Sequence, residues 1–380
     1  MSAGVARPLP FVAAHALDSV PHIVVDGGAR PSTVLALTHW PGSSTPPDLA
    51  RDLSAEIAFA YLRSPAHWRA DALAVTNDHL DQDGLVSIHA LRDPAHALAH
   101  ERLLVEVARV GDFAVARDDD ALAIALAIRA LAEAGRSDPG GGAVSGGAGT
   151  GPDRLGERVA ELLRLLPGLV ESPDRARALC AEELAAVESG RRALEAGEVS
   201  ADAPDAAGVA TVVVDERLAP VRASRFCEGT DAALHPVVVH QATGAARVLV
   251  ARGRRYRYYD RYETWVRYAS GRPPLRRALA PLAERLSEEE RGDARWRADD
   301  PGALEPSLEV ADGGESSIPL ARLRELVGSY LLDAPVAWDP YASGGGVAGE
   351  DVTRRAAPTA GTTGRGRLRS RGPRRGRPST

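Results

Sequence analysis

Short apolar runs that end in polar turns alternate with amphipathic stretches over the first third of the chain. His22-Ile-Val-Val is one such run and stops at Asp26-Gly-Gly. Thr33-Val-Leu-Ala-Leu-Thr is a second, leading into His39 and the loop Trp-Pro-Gly-Ser-Ser-Thr-Pro-Pro. From Asp48 to Leu62, the positions Leu49, Leu53, Ile57, Ala60 and Tyr61 recur at helical spacing. Ala72 to Thr76 reads as a third strand, followed by a polar loop and a helix from Gly84 to about Leu91. Ala97 to Val110 fits either a helix or a helix plus a strand, and ends in Gly111-Asp112-Phe113. Asp119 to Ala134 reads as a helix, with acids in its first turn and Gly135 just past its end. This alternation predicts an α/β unit over residues 15–136, a largely parallel sheet flanked by helices.

The pattern then changes. Residues 137–153 (SDPGGGAVSGGAGTGPD) have too few apolar positions for a core and read as a linker or insertion. Arg154 to Ala196 is mostly helical, with Leu155, Val159, Leu162, Leu163 and Leu166 as an apolar stripe and a break expected at Pro167-Gly168. Val209–Val214, His235–His240 and Arg247–Val250 read as strands, and Leu275–Leu286 as a helix. Residues 154–338 are therefore expected to form an α+β region. Residues 339–380 are rich in Gly, Pro, Thr and Arg, with nine arginines between Arg354 and Arg377, and read as a disordered basic tail.

Composition narrows the chemistry. The 380 residues are 44% hydrophobic and carry a formal charge of −6, which supports a sizeable core and argues against a nucleic-acid protein. Weak contact by the arginine-rich tail is the exception. Every one of the 46 positive charges is arginine, which excludes a P-loop lysine, a Schiff base and a lysine general base. Cys180 and Cys227 have no metal-ligand spacing and read as small buried residues in a reducing cytoplasm. The N-terminus lacks the pattern of a signal peptide, and no apolar run reaches the ~18 residues of a membrane span. The expectation is a cytoplasmic protein; its oligomeric state is not legible.

The loop after the third strand carries the densest chemistry. It reads Asn77-Asp78-His79-Leu-Asp81-Gln-Asp83-Gly84 and sits where open α/β sheets bind ligands. Carboxylates this close repel unless something positive lies between them. An oxygen-rich site of this kind favours Mn or Mg. The plainer alternative is a solvated acidic loop that caps a helix, with Gly84 supplying a sharp turn. Asp26, His39 and Asp112 also follow apolar runs. Parallel neighbouring strands would bring all six residues to one sheet edge. Each has an ordinary alternative: Asp26 as a turn residue, His39 as a satisfied histidine beside Trp40, Asp112 as a helix cap. Arg255 and Arg257, within Arg252-Gly-Arg-Arg-Tyr-Arg-Tyr-Tyr-Asp-Arg-Tyr262, suit a phosphate, or else alternate along an ordinary strand. His89, His96 and His100 join no carboxylate pattern and read as surface or cap residues.

Three known motifs can be set against the acidic loop. An EF-hand loop would need an acid where His79 stands and a glutamate where Ala90 stands, so that reading fails. A haloacid-dehalogenase-type phosphatase fits Asp81-Gln-Asp83-Gly84-Leu in part. However, four residues separate the strand from the first acid, and the usual lysine would have to be an arginine. His79-Leu-Asp81-Gln-Asp83-Gly84-Leu-Val-Ser after a strand resembles the first motif of the DHH phosphoesterase superfamily. That resemblance implies two Mn ions held by Asp and His, hydrolysis of a small phosphorylated or nucleotide substrate, and ligand roles for His79, Asp81 and Asp83. It extends to Leu37-Thr38-His39, to Asp26 and to Gly111-Asp112-Phe113. The Asp-His-His motif is absent and the motif order is permuted. An alternative is a binding or regulatory protein on a DHH-like scaffold without a full metal set. Over most of residues 15–300 the chain also resembles bacterial proteins grouped as a family of unknown function. The segments that carry this include His22-Ile-Val-Val-Asp-Gly, Leu37-Thr-His-Trp-Pro-Gly-Ser and Arg261-Tyr-Glu-Thr-Trp-Val.

Overall fold

The computed structural model describes residues 6–134, 152–218, 221 and 234–342. Most of the Gly-rich segment, Cys227 and the arginine-rich tail lie outside them. Three strands, β1 (His22–Val25), β2 (Thr33–Leu37) and β3 (Ala74–Thr76), form a parallel sheet in the order β2-β1-β3. All four residues of β1 are buried, as expected for a central strand covered on both faces. Val25 pairs with Leu37 and Val24 with Thr76, so all three strands end at one level.

Five helices follow the pattern: α1 (Ser54–Leu62), α2 (Gln82–Arg92), α3 (Pro94–Ala99), α4 (Glu101–Phe113) and α5 (Asp119–Ala134). α1 begins six residues later than its apolar spacing suggests, because Asp48 to Leu53 belong to the loop after β2. The ambiguous stretch after residue 97 resolves as two helices broken at His100. α2 is buried from Gln82 to Leu91, between α1 and α4. Close approach requires a bare backbone on α4, where a Cβ on Gly111 would come within 2.5 Å of Gln82 Cβ.

The second region contains α6 (Pro152–Glu171), α7 (Pro173–Leu179), α8 (Ala181–Glu195), β4 (Val199–Ala201), β5 (Val209–Val214) and α9 (Pro236–Ala242). It continues with β6 (Arg247–Arg252), β7 (Arg255–Asp260), β8 (Arg276–Arg277), α10 (Ala280–Glu289), β9 (Trp296–Ala298), β10 (Ser307–Val310), α11 (Leu320–Asp333) and β11 (Val336–Trp338). Six strands form a mixed sheet, β4-β5-β6-β7-β10-β9, and β8 pairs with β11. The strand period of two divides β6 between two cores. Val248 and Val250 face a core shared with β1, α2, α5 and α6, whereas Leu249 and Ala251 join Tyr256, Leu282, Leu308 and Leu323 behind the sheet. No helix among the described residues is long and apolar enough to cross a membrane.

Several expectations need correction. His235–His240 is not a strand but the start of α9. Pro236 occupies the first helical turn, and His235 Nδ1 accepts from Val237 N at 3.2 Å. A short apolar run buried on all sides does not distinguish strand from helix. Pro167 does not break α6, which runs through it. The Leu163 carbonyl, deprived of its helical donor, accepts instead from Arg92 Nη1 at 3.3 Å. The segment from Leu275 turns helical only at Ala280, after the two residues of β8. Cys180 is buried and free as expected, and burial pushes its thiol up to about 11.

His89 is wholly buried on α2, not on the surface, with Nε2 2.9 Å from His96 Nδ1. Burial, then the charge of His96, pushes its pKa from 6.5 down to about 4. Between those values the unfolded chain binds a proton that the folded chain does not, so stability falls as the pH falls. The contribution is complete above about pH 6.5 and gone below about pH 4. Urea melts across this window are expected to show wild type losing ~3 kcal/mol more than His89→Leu. Equal losses in the two proteins would remove His89 as the cause.

Candidate metal centre at the edge of the parallel sheet

The level ends of β1, β2 and β3 place three polar turns side by side. Asp26 follows β1 directly, in the left-handed region at φ 45°. This is a conformation that Asp and Asn tolerate better than most residues. His39 follows β2 by two residues, in a loop held by Thr45, whose side chain accepts from Thr38 N at 3.0 Å and donates to Thr38 O at 2.7 Å. Asn77 to Asp83 link β3 to α2. Asp112 arrives from the last turn of α4.

The six residues expected at this edge are brought together there. His39 Nε2 lies 3.5 Å from Asp26 Oδ1, 3.5 Å from Asp112 Oδ2 and 3.9 Å from Asp83 Oδ2. His79 Nε2 lies 2.7 Å from Asp81 Oδ2 and 3.3 Å from Asp26 Oδ2. Two trios, Asp26–His39–Asp83 and Asp26–His79–Asp81, each have one ligand atom per residue within 4.8 Å of the others. Asp26 belongs to both, one oxygen facing each histidine.

Each histidine has its second nitrogen occupied. His39 Nδ1 donates to the Asp52 carbonyl at 2.6 Å, and His79 Nδ1 lies 3.1 Å from Asp78 Oδ1. Fixing Nδ1 in this way turns Nε2 toward the acids, the arrangement that metal-ligating histidines adopt. The carboxylates are also held. Asp83 accepts from Ser54 N at 2.8 Å and Ala55 N at 2.7 Å, Asp26 Oδ1 from Ser54 Oγ at 2.8 Å, and Asp81 Oδ1 from Gly84 N at 2.9 Å.

These contacts revise the plainer readings. Asp81, not Asp83, is the cap of α2, while Asp83 reaches across to the first amides of α1. Asp112 is not at a helix N-terminus: it lies in the last turn of α4, where the helix dipole disfavours a carboxylate. Gly84 is helical and supplies no turn. It is bare because a Cβ there would come within 2.3 Å of Asn77 Nδ2. Arg255 and Arg257 are not part of the cluster. They lie on β7, Arg255 3.1 Å from Glu315 and Arg257 3.9 Å from Glu309. Arg255 is about 16 Å of strand from the end of β7.

The charge states follow from burial. Burial alone would raise the Asp26 carboxyl, but the contacts with His39 and His79 outweigh it and hold the pKa well below the usual range. Burial first, then the Asp26 charge, pushes Asp83 up to about 8. Burial would lower both histidines; the surrounding carboxylates, Asp26 foremost at His39 and Asp81 at His79, raise them instead. Protons thus supply the positive charge that lets these acids share one enclosure, and a divalent ion can supply the same charge in their place.

Sequence reasoning missed Ser54, Asp52, Asp78 and Tyr262 as members of this site. Ser54 carried no separate signal, because the helical spacing ran from Asp48 and placed it inside the expected helix, and Leu53, not Ser54, is the N-cap of α1. Tyr262 carried none: its Oη lies 3.5 Å from His39 Nε2, across 223 positions of sequence.

A model for a family of unknown function (DUF6687) matches residues 7–342, and the chain belongs to that family. No curated protein and no solved structure matches it. The DHH phosphoesterase resemblance has no counterpart in these comparisons.

The close approach at Gly84 is open to test. Gly84→Ala is expected to destabilise the protein by about 1–3 kcal/mol, because Asn77 must move. Helix propensity alone would make the change favourable by up to ~1 kcal/mol. Denaturant melts of the two proteins give the sign, and a stabilised variant would contradict the packing described.

Proposed function

We propose, for this member of a family whose name assigns no activity, a metal-dependent phosphoesterase-like hydrolase that takes Mn or Mg at the sheet edge and acts on a small phosphorylated or nucleotide substrate. The observation that carries this reading is the sharing of Asp26 by two ligand trios, each completed by a histidine whose other nitrogen is occupied. An oxygen-rich set with two imidazoles suits Mn and Mg, whose ligands lie about 2.1 Å from the ion and so ~3–4 Å from one another. Asp26, His39, Asp83, His79 and Asp81 would hold the ion, which when bound would supply electrophilic assistance and an activated water for cleavage of a phosphate ester. The protein contributes orientation. Ser54 fixes Asp26, the α1 amides fix Asp83, Asp52 and Asp78 aim the two imidazoles, and Trp40 lies over His79 with ring centroids 5.3 Å apart.

A second reading is a binding or regulatory protein in which the cluster only cross-links the scaffold. The observation in its favour is that both Asp83 oxygens already accept backbone amides of α1.

Asp26→Asn separates the two. Asn tolerates the left-handed backbone and keeps the acceptor for Ser54, while removing the shared anion from both trios. After chelator treatment, wild type is expected to gain thermal stability with Mn, by about 2.7 kcal/mol at a hundredfold excess over its dissociation constant. Asp26→Asn is expected to fold and to show no gain, and Mn-dependent cleavage of p-nitrophenyl phosphate esters by wild type is expected to vanish in it. A wild-type melt that is flat across millimolar Mn and Mg would leave only the scaffold reading.

A further inference from the structure

Tryptophan carries one hydrogen-bond donor and no acceptor, and a buried indole N–H usually finds a partner. Four of the five tryptophans follow that rule. Trp68 Nε1 donates to Tyr61 O at 3.0 Å, Trp265 Nε1 to Gly302 O at 3.0 Å, Trp296 Nε1 to Glu290 Oε1 at 2.9 Å and Trp338 Nε1 to Trp265 O at 3.3 Å. Trp40 is the exception. Its Nε1 is buried and meets no acceptor among the described residues. An unpaired buried donor is costly, so this one needs a reason.

Trp40 stands at the metal centre. It follows His39 in sequence, and its ring lies over that of His79, with centroids 5.3 Å apart and planes 30° apart. The C-terminal region holds the loop that carries it. After β7 the chain makes a single 3-10 turn, Tyr262–Thr264, and comes back to the loop after β2. Arg267 N donates to His39 O at 2.8 Å, and Ala269 N and Ser270 N donate to Asp52 Oδ1 at 2.8 and 2.7 Å. Trp265, from the same segment, is set at 83° to Trp40 with ring centroids 5.4 Å apart. The Asp26–His39–Asp83 trio is wholly enclosed, whereas the His79 side chain is 23% exposed and Trp40 is half-buried. A ligand therefore arrives on the His79 side, beside Trp40. A second unpaired donor borders the same trio. Asn77 is buried, its Oδ1 accepts from His79 N at 3.2 Å, and its Nδ2 meets no acceptor among the described residues. That amide is pressed against Gly84 of α2, so the half-buried ring of Trp40 is the donor with room to turn.

Both unpaired groups are donors, and both border acids that they do not reach. A bare cation at the Asp26–His79–Asp81 trio would leave them unpaired, because a cation accepts no hydrogen bond. An anion without a cation would be repelled by the acids. A phosphoryl group bound to a cation meets both conditions: the cation satisfies the acids, and the remaining oxygens accept from N–H donors. We propose that Trp40 is a substrate-binding residue, its indole N–H donating a hydrogen bond to a phosphoryl oxygen that docks at the Asp26–His79–Asp81 trio. This rests on the metal reading above. Because Nε1 is covered, binding includes a turn of the half-buried ring that brings the N–H against the ligand. Oxyanion recognition then falls to a neutral donor rather than to Arg255 or Arg257. An arginine at this place would pair with the acids and oppose the cation, whereas an indole does neither.

The test uses the full chain, freed of metal and titrated by calorimetry first with Mn and then, Mn-loaded, with inorganic phosphate. Trp40→Phe removes the N–H and keeps a ring over His79. It is expected to bind Mn within about twofold of wild type and phosphate about tenfold or more weakly, the effect of losing one hydrogen bond to a charged group. Should Trp40→Phe fail to fold, the proton spectrum of the Mg-loaded wild type decides. Phosphate is expected to move one indole N–H resonance downfield, and an unmoved set overturns the proposal. A smaller loss of phosphate affinity in Trp40→Phe, with Mn affinity kept, would overturn it and leave the metal reading intact. Loss of Mn affinity in parallel with phosphate would also overturn it, because Trp40 would then act only by packing on His79. A Mn-loaded wild type that binds no phosphate overturns the assignment as well, and a wild type that takes up no Mn removes both readings.

Discussion

Carboxylates brought together out of water are the constraint around which the first region is arranged. Asp26, Asp81, Asp83 and Asp112 are buried, and they meet within reach of two imidazoles. Buried like charges destabilise a fold unless positive charge and hydrogen bonds compensate. Here the compensation is distributed over the whole first region. The first amides of α1 serve Asp83, Ser54 serves Asp26, and the histidines serve both. Their second nitrogens are in turn anchored to Asp52 and Asp78. The parallel sheet makes the meeting unavoidable, because its three strands end at one level and each feeds a polar turn.

The packing around α2 shows what this arrangement demands of its neighbours. A helix that starts in the cluster and is buried along its length needs close contacts on several sides. Gly111 lets α4 approach Gln82, Gly84 makes room for Asn77, and Gln82 Nε2 donates to the Ala125 carbonyl at 2.8 Å. Even the far end of α2 is used, since Arg92 satisfies the carbonyl that Pro167 leaves without a helical donor. These are polar and steric conditions placed on an apolar helix, and they fix its axial position more narrowly than hydrophobic contact alone.

Much of the first region was legible in the chain. β1, β2 and α5 follow from apolar runs and their polar ends, and the meeting of Asp26, His39, Asp81 and Asp83 follows from parallel strands ending together, whereas Asp112 reaches the edge from a helix, not from the strand end its apolar run suggested. The illegible parts have physical reasons. Val237-Val238-Val239 is buried on every side, so it has no exposed face to give a period, and Pro236 with its His235 cap decides for helix. Pro167 looks like a helix breaker until Arg92, distant in sequence, is placed beside it. The onset of α1 at Ser54 depends on Asp83, and the role of Tyr262 depends on pairing across the two regions. Local pattern carries intrinsic periodicity, whereas these outcomes are set by tertiary contacts.

The reach of residues 262–270 back to His39 and Asp52 has a consequence for synthesis. Domains form from the N-terminus as the chain emerges, and contacts between distant segments close last. The acids of the first region and their histidines are all translated by residue 112, yet the ring that packs on His39 and the backbone that steadies Asp52 belong to Tyr262 and Ala269, separated from them by 223 and 217 positions. During that interval the loop after β2 lacks these later partners, and the enclosure matures only when the last third of the chain folds back onto the first.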